Sequence, residues 1–382
     1  MIEEPRYEHQ LTLDAKGIWD MVEHQEYTDD IECQYRGLLN FLDILYYRNG
    51  NSSYPQVRTR HTMFSLAQAM PSLAMIDPSR TREISYNLHV CANVLNFPLL
   101  TYALDCYNSE SVRLAESALT LALYRLVSGN AMNDEAFHKT IDQVKEKMLY
   151  HKTYQGITAL ETQPGIYEIV PNLWCLLAYE IHDCIFASTY LSLKDEILSW
   201  IRAELIDQET GLYRESYKTG AFDIEGEYLN KDAFWHTLDL KDNVNALAIC
   251  YMHYFDEEGS ARAWDSFKRF FLDPLLQVKT EQIVSASGHS YLTQLAPVTE
   301  SLYGALLTAR EMGDKETFEL LQRHIFEITA PSMREGKLFL DALQEEKLHC
   351  HFLLFARVHM GWKAIMEHDW AKDYGRDYKK IQ

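Results

Sequence analysis

Apolar residues recur along the chain at every third or fourth position, which is the spacing of one face of an α-helix. The alternation of apolar and polar residues that is typical of strands is nearly absent outside short connections. The pattern therefore predicts an all-α protein. The predicted helices lie at residues 12–25, 31–48, 59–76, 80–96, 99–107, 109–128, 133–149, 171–189, 191–206, 241–256, 259–276, 296–312, 314–330 and 346–368.

Residues that favour helix ends separate these segments. In the stretch Glu311-Met-Gly-Asp-Lys315, Gly313 is a suitable stop for one helix and Asp314 a suitable cap for the next. Such a short connection predicts two antiparallel neighbours. Longer irregular stretches are predicted at residues 151–170, 207–240 and 277–295, and loops of this length are commonly functional.

The second half of the chain repeats one motif, an apolar helix followed by a more charged, amphipathic one. This alternation predicts an inner and an outer layer of helices. An open solenoid of helix pairs and a closed (α/α)6 toroid both satisfy it. We favour the toroid, because about six pairs suffice to close a ring and the inner helices are too apolar for an exposed groove. No linker rich in Pro, Gly or Ser divides the chain, so we expect a single domain over residues 1–382.

The charge and composition of the chain argue against some classes of binding partner. A formal charge of -20 and a pI near 5.2 argue against nucleic acid and acidic membrane surfaces. The sequence has neither a secretory signal nor an apolar run of about 18 residues, so we expect a soluble cytoplasmic protein without a membrane span. The 7 cysteines are scattered and form no Cys-x-x-Cys pair, which argues against a structural zinc site.

The apolar segment from Ile166 to Asp183 contains a polar stripe. Asn172, Cys175, Tyr179 and His182 are spaced so that their side chains share one helix face. A buried polar group without a partner costs about 1 to 3 kcal/mol, so these groups are paired or line a wet cavity. His182 has a second interpretation, as a residue at the outer end of the helix.

Further candidates lie in the first turns of predicted inner helices, which would converge on one mouth of a ring. Capping explains Asp242 equally well, and burial with a local hydrogen bond is the alternative for Asn245 and Cys350. Carboxylates able to do acid-base work include Asp242 and Glu300. The remaining substrate-binding candidates are Trp174, Tyr213, Asn243, His289, Tyr291 and Tyr303.

Metal and cofactor motifs are not evident. His349 and His351 stand two residues apart, so on a helix they point to different faces. The chain has no Gly-rich phosphate loop, nucleophile elbow or His-Glu-x-x-His motif. We therefore predict no metal and no cofactor.

The segment Pro171-Asn-Leu-Trp-Cys-Leu-Leu-Ala-Tyr-Glu-Ile-His-Asp183, together with Leu198-Ser-Trp200 and Ile206-Asp-Gln-Glu-Thr-Gly-Leu-Tyr213, resembles the (α/α)6-barrel family of linalool dehydratase-isomerases. This resemblance implies cofactor-free acid-base chemistry on a small isoprenoid alcohol, at a subunit interface of a cyclic oligomer. Cys175 and His182 are the residues that lie in the matching segment.

The leading hypothesis is thus a lyase, isomerase or cyclase acting on a small, terpenoid-like substrate, and the resemblance implies that it forms a homo-oligomer. Cys175 or an acidic residue would donate a proton, and His182, Tyr179 or Asp242 would orient or remove one. The alternatives are a carbohydrate-active toroid enzyme, either a glycoside hydrolase or a sugar epimerase, and a helical-repeat binding protein without chemistry.

Overall fold

A computed structural model describes eleven stretches of the chain, residues 8–10, 18–21, 28–48, 56–96, 110–188, 191–219, 240–279, 291–334, 337–340, 345–347 and 351–374. The chain divides into two compact units. The first unit comprises residues 1–104 and 269–382, and the second unit comprises residues 105–268. The single domain over residues 1–382 stays a prediction.

Helices dominate the described residues, as predicted. They are α1 Asp29–Arg48, α2 Gln56–Ile76, α3 Thr81–Asn96, α4 Glu110–Ser128, α5 Asp134–Gln155, α6 Ile169–Phe186, α7 Leu191–Trp200, α8 Asp242–Met252, α9 Glu257–Phe267, α10 Tyr291–Glu311, α11 Lys315–Thr329, α12 His351–Val358, α13 Trp362–Glu367 and α14 Trp370–Tyr374. Helix α9 continues through a π-helical turn to a last helical turn that ends at Leu276.

Six short strands accompany the helices. They are β1 Glu8–Gln10, β2 Ile166–Glu168, β3 Ser216–Lys218, β4 Pro331–Arg334, β5 Lys337–Leu340 and β6 Glu345–Lys347. In the first unit they form an antiparallel sheet in the order β1, β4, β5, β6. In the second unit β2 and β3 form an antiparallel pair in which Tyr167 lies opposite Tyr217.

The described residues of the second unit form three helix pairs. Its inner helices are α4, α6 and α8, and α6 packs against both of the others. Each is followed by an outer helix, namely α5, α7 or α9. Most of the α4 and α6 side chains are buried, whereas α5 buries only one face, which includes Phe137, Ile141, Val144 and Met148. This difference is the one that the inner and outer layers require.

The first unit repeats the arrangement. Helix α12 packs against α2 and α10, and these three are the inner helices of the unit. Helices α3 and α11 lie outside α2 and α10. The connection between α10 and α11 is the predicted one, because Gly313 has a φ of 67° and the Asp314 side chain accepts a hydrogen bond from the Thr317 amide. The described residues thus contain six inner helices, three in each unit.

Two expectations are corrected at the carboxyl-terminal side. The helix predicted over 346–368 is wrong, because β6 ends at Lys347 and two separate helices follow. Gly361, with a φ of 92°, interrupts the helical path between α12 and α13. The sheet of β1, β4, β5 and β6 was not predicted, since its strands are too short to show alternation. The helix predicted at 99–107 lies outside the described residues.

Among the described residues, none of the helices is long and apolar enough to cross a membrane.

Candidate active site at the starts of α6 and α8

The first turn of α6 is joined to the preceding loop by one side chain. Asn172 is fully buried, and its Oδ1 accepts a hydrogen bond from the Leu160 amide at 2.7 Å. Its Nδ2 donates to the carbonyl oxygens of Leu160, at 3.1 Å, and of Glu168, at 2.8 Å. We name this arrangement a peptide clamp, because one amide side chain satisfies both polar groups of a distant peptide and a carbonyl of its own helix start.

The start of α8 carries a second peptide clamp. Asn245 is also fully buried, and its Oδ1 accepts from the Tyr213 amide at 2.7 Å. Its Nδ2 donates to the carbonyls of Tyr213 and Lys241, each at 2.9 Å. Asn172 and Asn245 are each the fourth residue of an inner helix. The repetition indicates that the two helix pairs are built on one plan.

Carboxyl groups gather around these two helix starts. Glu168 is the residue before α6, and Asp242 is the first residue of α8. The Ile169 amide donates to the Glu215 carbonyl at 3.0 Å, so the segment of Glu215 is attached to the start of α6. The Glu215 carboxylate forms an ion pair with Lys241 Nζ at 2.6 Å, which links the same segment to the start of α8.

These acidic side chains are partly exposed to solvent. Glu168, Glu215 and Asp242 are half-buried, and Lys241 is exposed. Half-buried carboxyl groups of this kind are suited to acid-base chemistry.

The middle of the polar stripe lies away from these helix starts, against the outer helix α5. The Tyr179 hydroxyl donates to Met148 Sδ at 3.5 Å, and Met148 belongs to α5. Cys175 is fully buried, and burial raises the pKa of its thiol. A buried thiol with a raised pKa is a poor nucleophile and a poor ligand at neutral pH.

His182, the last residue of the stripe, belongs to a hydrogen-bonded cluster that also includes His138, Asp183 and Ser188. His182 Nε2 lies 2.8 Å from His138 Nδ1, and its Nδ1 lies 2.7 Å from Ser188 Oγ. The Ser188 hydroxyl donates to Asp183 Oδ1 at 2.7 Å. We name these four residues the histidine cluster. It stands about 15 Å from Asn172 along α6, ten residues at 1.5 Å each.

The proton positions in the histidine cluster follow from the number of donors. Ser188 has one hydroxyl proton and gives it to Asp183, so Ser188 Oγ accepts from His182 Nδ1. The neutral His182 ring then has its lone pair on Nε2, and His138 Nδ1 is the donor. Burial, and next the neighbouring His138, lower the pKa of His182 to about 4. His182 is therefore neutral at pH 7.

The side chains or peptides of the remaining candidates of the second unit contact other residues of the same unit. Burial raises the pKa of Tyr213 to about 12, and the Tyr213 peptide is held by Asn245. Trp174 is half-buried and meets the Tyr251 ring edge-on at 6.4 Å. The Asn243 side chain accepts from the next amide, that of Val244, at 2.8 Å. These contacts place Tyr213 in the core and leave the Asn243 side chain bonded within the first turn of its own helix, α8.

The candidate residues of the first unit differ in how far they are buried. Glu300 is exposed on α10, whereas Tyr303 on the same helix is buried. Tyr291 is the first residue of α10, and its side chain is not among those described. His289 and Cys350 also lie outside the described residues.

The sequence did not predict three features that the structure reveals. Glu168 was overlooked because it precedes the apolar helix, although an acidic residue before a helix start is a recognisable signal. His138 had no signal, since only the packing of α5 on α6 brings it to His182. The buried pair of Glu311 Oε2 and His359 Nε2, 2.6 Å apart in the first unit, likewise joins the ends of two helices distant in sequence.

No protein family model matches the chain. The fold is nevertheless similar to that of solved enzymes. A family 76 glycoside hydrolase from a bovine Bacteroides thetaiotaomicron strain matches with a TM-score of 0.51 and 10% identity, over 85% of this chain and 76% of that one. The GH76A alpha-1,6-mannanase from Salegentibacter sp. HEL1_6 matches with a TM-score of 0.46 and 11% identity, over 86% of this chain and 99% of that one.

An inactive variant of the same Salegentibacter mannanase in complex with alpha-1,6-mannotetrose also matches, with a TM-score of 0.47 and 11% identity, over 86% of this chain and 99% of that one. The predicted (α/α)6 toroid fold is confirmed. The resemblance to linalool dehydratase-isomerases is wrong, and so is the terpenoid lyase or isomerase reaction, because the similar structures are glycoside hydrolases. The chain therefore shares the (α/α)6 toroid fold of a family 76 glycoside hydrolase.

Proposed function

We propose that the protein is a carbohydrate-active enzyme, a glycoside hydrolase whose substrate is an oligosaccharide. The observation that carries this proposal is the toroid fold shared with a family 76 glycoside hydrolase over 85% of the chain. Because one fold serves many reactions, the site has to supply the chemistry. The half-buried carboxyl groups at the starts of α6 and α8 support it.

Two carboxyl groups would divide the work of breaking a glycosidic bond. Asp242, the first residue of α8, would act as base or nucleophile. Glu168, which precedes α6, would protonate the leaving oxygen. Water adds across the broken bond, so each turnover yields two shorter sugars and consumes one water molecule.

The two peptide clamps support this arrangement of carboxyl groups. Asn172 bonds the carbonyl of Glu168, and Asn245 bonds the carbonyl of Lys241, the residue before Asp242. Each clamp thus fixes the backbone beside one proposed catalytic residue. A fixed backbone limits the motion of the attached carboxyl group, and catalysis depends on such positioning.

The proposal is tested with the purified full chain on a panel of α- and β-linked manno- and gluco-oligosaccharides, with products identified by mass spectrometry. We expect at least one substrate to be cleaved. Asp242→Asn and Glu168→Gln should each lower kcat by about 10²- to 10⁴-fold, the usual contribution of an acid or base group. Asp195→Asn, at an exposed position of the outer helix α7, is the matched control and should keep the full rate.

The outcomes separate the alternatives. Interconversion of a sugar without a change in mass would identify a sugar epimerase instead of a hydrolase. Binding of an oligosaccharide without any turnover would identify a binding protein. Cleavage that persists in both Asp242→Asn and Glu168→Gln would overturn the assignment of these two residues.

A further inference from the structure

The carboxyl-terminal end of the outer helix α5 carries two exposed tyrosines. Tyr150 is 57% exposed and Tyr154 is 72% exposed. They stand four residues apart, so their side chains are neighbours on the helix surface. Their ring centroids are 4.6 Å apart, and the ring planes are inclined at 44° to each other. We name these two residues the tyrosine pair. Adjoining apolar groups on a surface commonly mark a binding site.

The tyrosine pair is held in place by the core beneath it. The His151 ring, which is 8% exposed, meets the Tyr150 ring edge-on at 5.3 Å. His151 Nδ1 lies 3.2 Å from the buried Tyr167 hydroxyl, and its Nε2 lies 3.5 Å from Glu161 Oε2. These contacts fix His151 and, with it, the ring that packs on it. A rigid aromatic surface loses little conformational entropy when a ligand binds.

The same contacts place the tyrosine pair near the proposed active site. Tyr167 belongs to β2 and is followed by Glu168, the proposed acid. The Tyr167 hydroxyl also donates to Gln155 Oε1, and Gln155 is the residue after Tyr154. The tyrosine pair therefore lies at the same end of the second unit as the start of α6.

The chemistry of this surface suits an uncharged sugar. A pyranose presents C–H groups on its faces and hydroxyl groups at its rim, and the negative face of an aromatic ring attracts polarised C–H groups. Polar groups border the tyrosine pair. They are the exposed Gln155 and the ion pair of Lys147 Nζ with Glu110 Oε2, at 3.2 Å. The formal charge of -20 argues against an anionic ligand.

The tyrosine pair is too small to be a stable interface with a second protein. One aromatic side chain buries at most about 250 Å², so two bury about 500 Å² at most, whereas a standard interface takes about 800 Å² from each partner. The bordering Lys147 and Glu110 are charged, and the centres of protein interfaces are depleted of charged residues. A ligand of the size of an oligosaccharide fits the surface better.

We propose that the tyrosine pair is a second carbohydrate site, which binds an uncharged oligosaccharide outside the proposed active site. The inference rests on the proposed function, because the ligand belongs to the substrate class of that function. Sugar rings stack on Tyr150 and Tyr154, while Gln155 and the Lys147–Glu110 pair bond hydroxyl groups. The binding is non-covalent. It raises the affinity for long oligosaccharides, which contact both sites, and leaves the chemistry of cleavage unchanged.

The test measures binding without turnover. The full chain with Glu168→Gln, which prevents loss of the ligand by cleavage, is run in native gels that contain soluble α-mannan or dextran, two uncharged polysaccharides. Retardation as a function of polysaccharide concentration gives the Kd. In this background, Tyr150→Ala/Tyr154→Ala should raise the Kd about 10-fold for a polysaccharide that retards the parent, since truncated tyrosines commonly have effects of this size at binding surfaces.

Two further variants are the controls. Tyr150→Phe/Tyr154→Phe keeps both rings and should bind as tightly as the parent, which a site built on the hydroxyl groups would not do. Tyr86→Ala removes a tyrosine of α3 in the first unit that is 60% exposed, and it should also bind like the parent. All of these positions are exposed, and circular dichroism of each variant confirms that it is folded.

Three results would overturn the proposal. The first is a parent that neither polysaccharide retards, and the second is a Tyr150→Ala/Tyr154→Ala variant that is retarded like the parent. The third is a parent dimer that this double variant converts into a monomer, by sedimentation, with unchanged retardation, because the surface would then bind a second copy of the chain.

The outcome is separable from that of the proposed function. Retardation that depends on the tyrosine pair, in a protein that cleaves none of the oligosaccharides, would support this site and overturn the hydrolase assignment. Cleavage by a protein whose double variant is retarded like the parent would do the reverse.

Discussion

The two ends of helix α6 bury polar side chains of opposite character. At its start, the side-chain amide of Asn172 forms hydrogen bonds with three backbone groups, none of which titrates. At its end, His182 bonds to His138 and Ser188, and each of these bonds depends on where a proton resides. The hydrogen bonds of the Asn172 amide therefore persist at any pH, whereas the hydrogen bond that His182 Nε2 accepts from His138 lasts only while the His182 ring is uncharged. One stripe of polar residues thus contains a structural end and a titratable end.

The largest effect on stability is expected from a substitution of Asn172, at the structural end of the stripe. Asn172→Leu leaves the amide and carbonyl of Leu160 and the carbonyl of Glu168 without their partner in the core. Each unsatisfied buried group costs about 1 to 3 kcal/mol, and local rearrangement recovers part of that. We expect the free energy of unfolding to fall by about 3 kcal/mol, measured by urea denaturation at pH 8.

The second peptide clamp and a nearby asparagine sharpen this test. Asn245→Leu should cost about as much as Asn172→Leu, because it breaks the same three kinds of bond. Asn243→Ala removes one bond to a neighbouring amide at a half-buried position, so about 0.5 kcal/mol is expected. Equal losses at positions 243 and 245 would contradict the clamp as the source of stability.

The titratable end of the stripe should make the free energy of unfolding depend on pH. The pKa of His182 is about 4 in the folded protein, whereas the ordinary pKa of a histidine, which applies to the unfolded chain, is 6.5. Below pH 6.5 the unfolded chain takes up a proton that the folded chain refuses, so the free energy of unfolding falls as the pH drops towards 4. We expect this loss of stability to reach about 3 kcal/mol near pH 4, and to be absent above pH 7.

His182→Gln tests this assignment, because it removes the titrating ring. The slope of the unfolding free energy between pH 6.5 and pH 4 should then be smaller than in the parent protein. In Asn172→Leu the loss should be the same at every pH in that range. A parent-like slope in His182→Gln would mean that other groups cause the acid sensitivity.

The sequence predicted the helices well because their cause is local. An apolar face on each helix and chemical signals at the ends, such as Gly313 and Asp314, are readable without knowledge of the neighbours. The strands β4 to β6 were missed, since they are only three or four residues long and depend on pairing with each other. The break between α12 and α13 was missed as well, because a single glycine in a left-handed conformation causes it.

The site was predicted only in part, for a related reason. The spacing of Asn172 and His182 correctly grouped them on one face of α6, but it did not indicate what that face meets. Only the packing of α5 on α6 brings Met148 and His138 to the stripe. The position of Asn245 near a helix start made it a candidate, with burial and a local hydrogen bond as the alternative, but the sequence did not indicate its partner Tyr213, which lies 32 residues earlier. Long-range partners of this kind are not encoded in local spacing.

The smallest expected effect concerns Cys175, between the two ends of the stripe. Its thiol is fully buried and its pKa is raised, whereas Cys184 on the last turn of the same helix is exposed. A maleimide applied to the native protein should therefore label Cys184 and spare Cys175, as mapped by peptide mass spectrometry, because a fully buried thiol is out of the reagent's reach. Cys175→Ala should cost about 1 kcal/mol of unfolding free energy, the loss of one small apolar contact. It should leave the cleavage rate unchanged, since the thiol is fully buried and its pKa is raised. Rapid labelling of Cys175 in the folded state would contradict its burial. A cleavage rate that drops with Cys175→Ala would indicate that the middle of α6 takes part in the reaction.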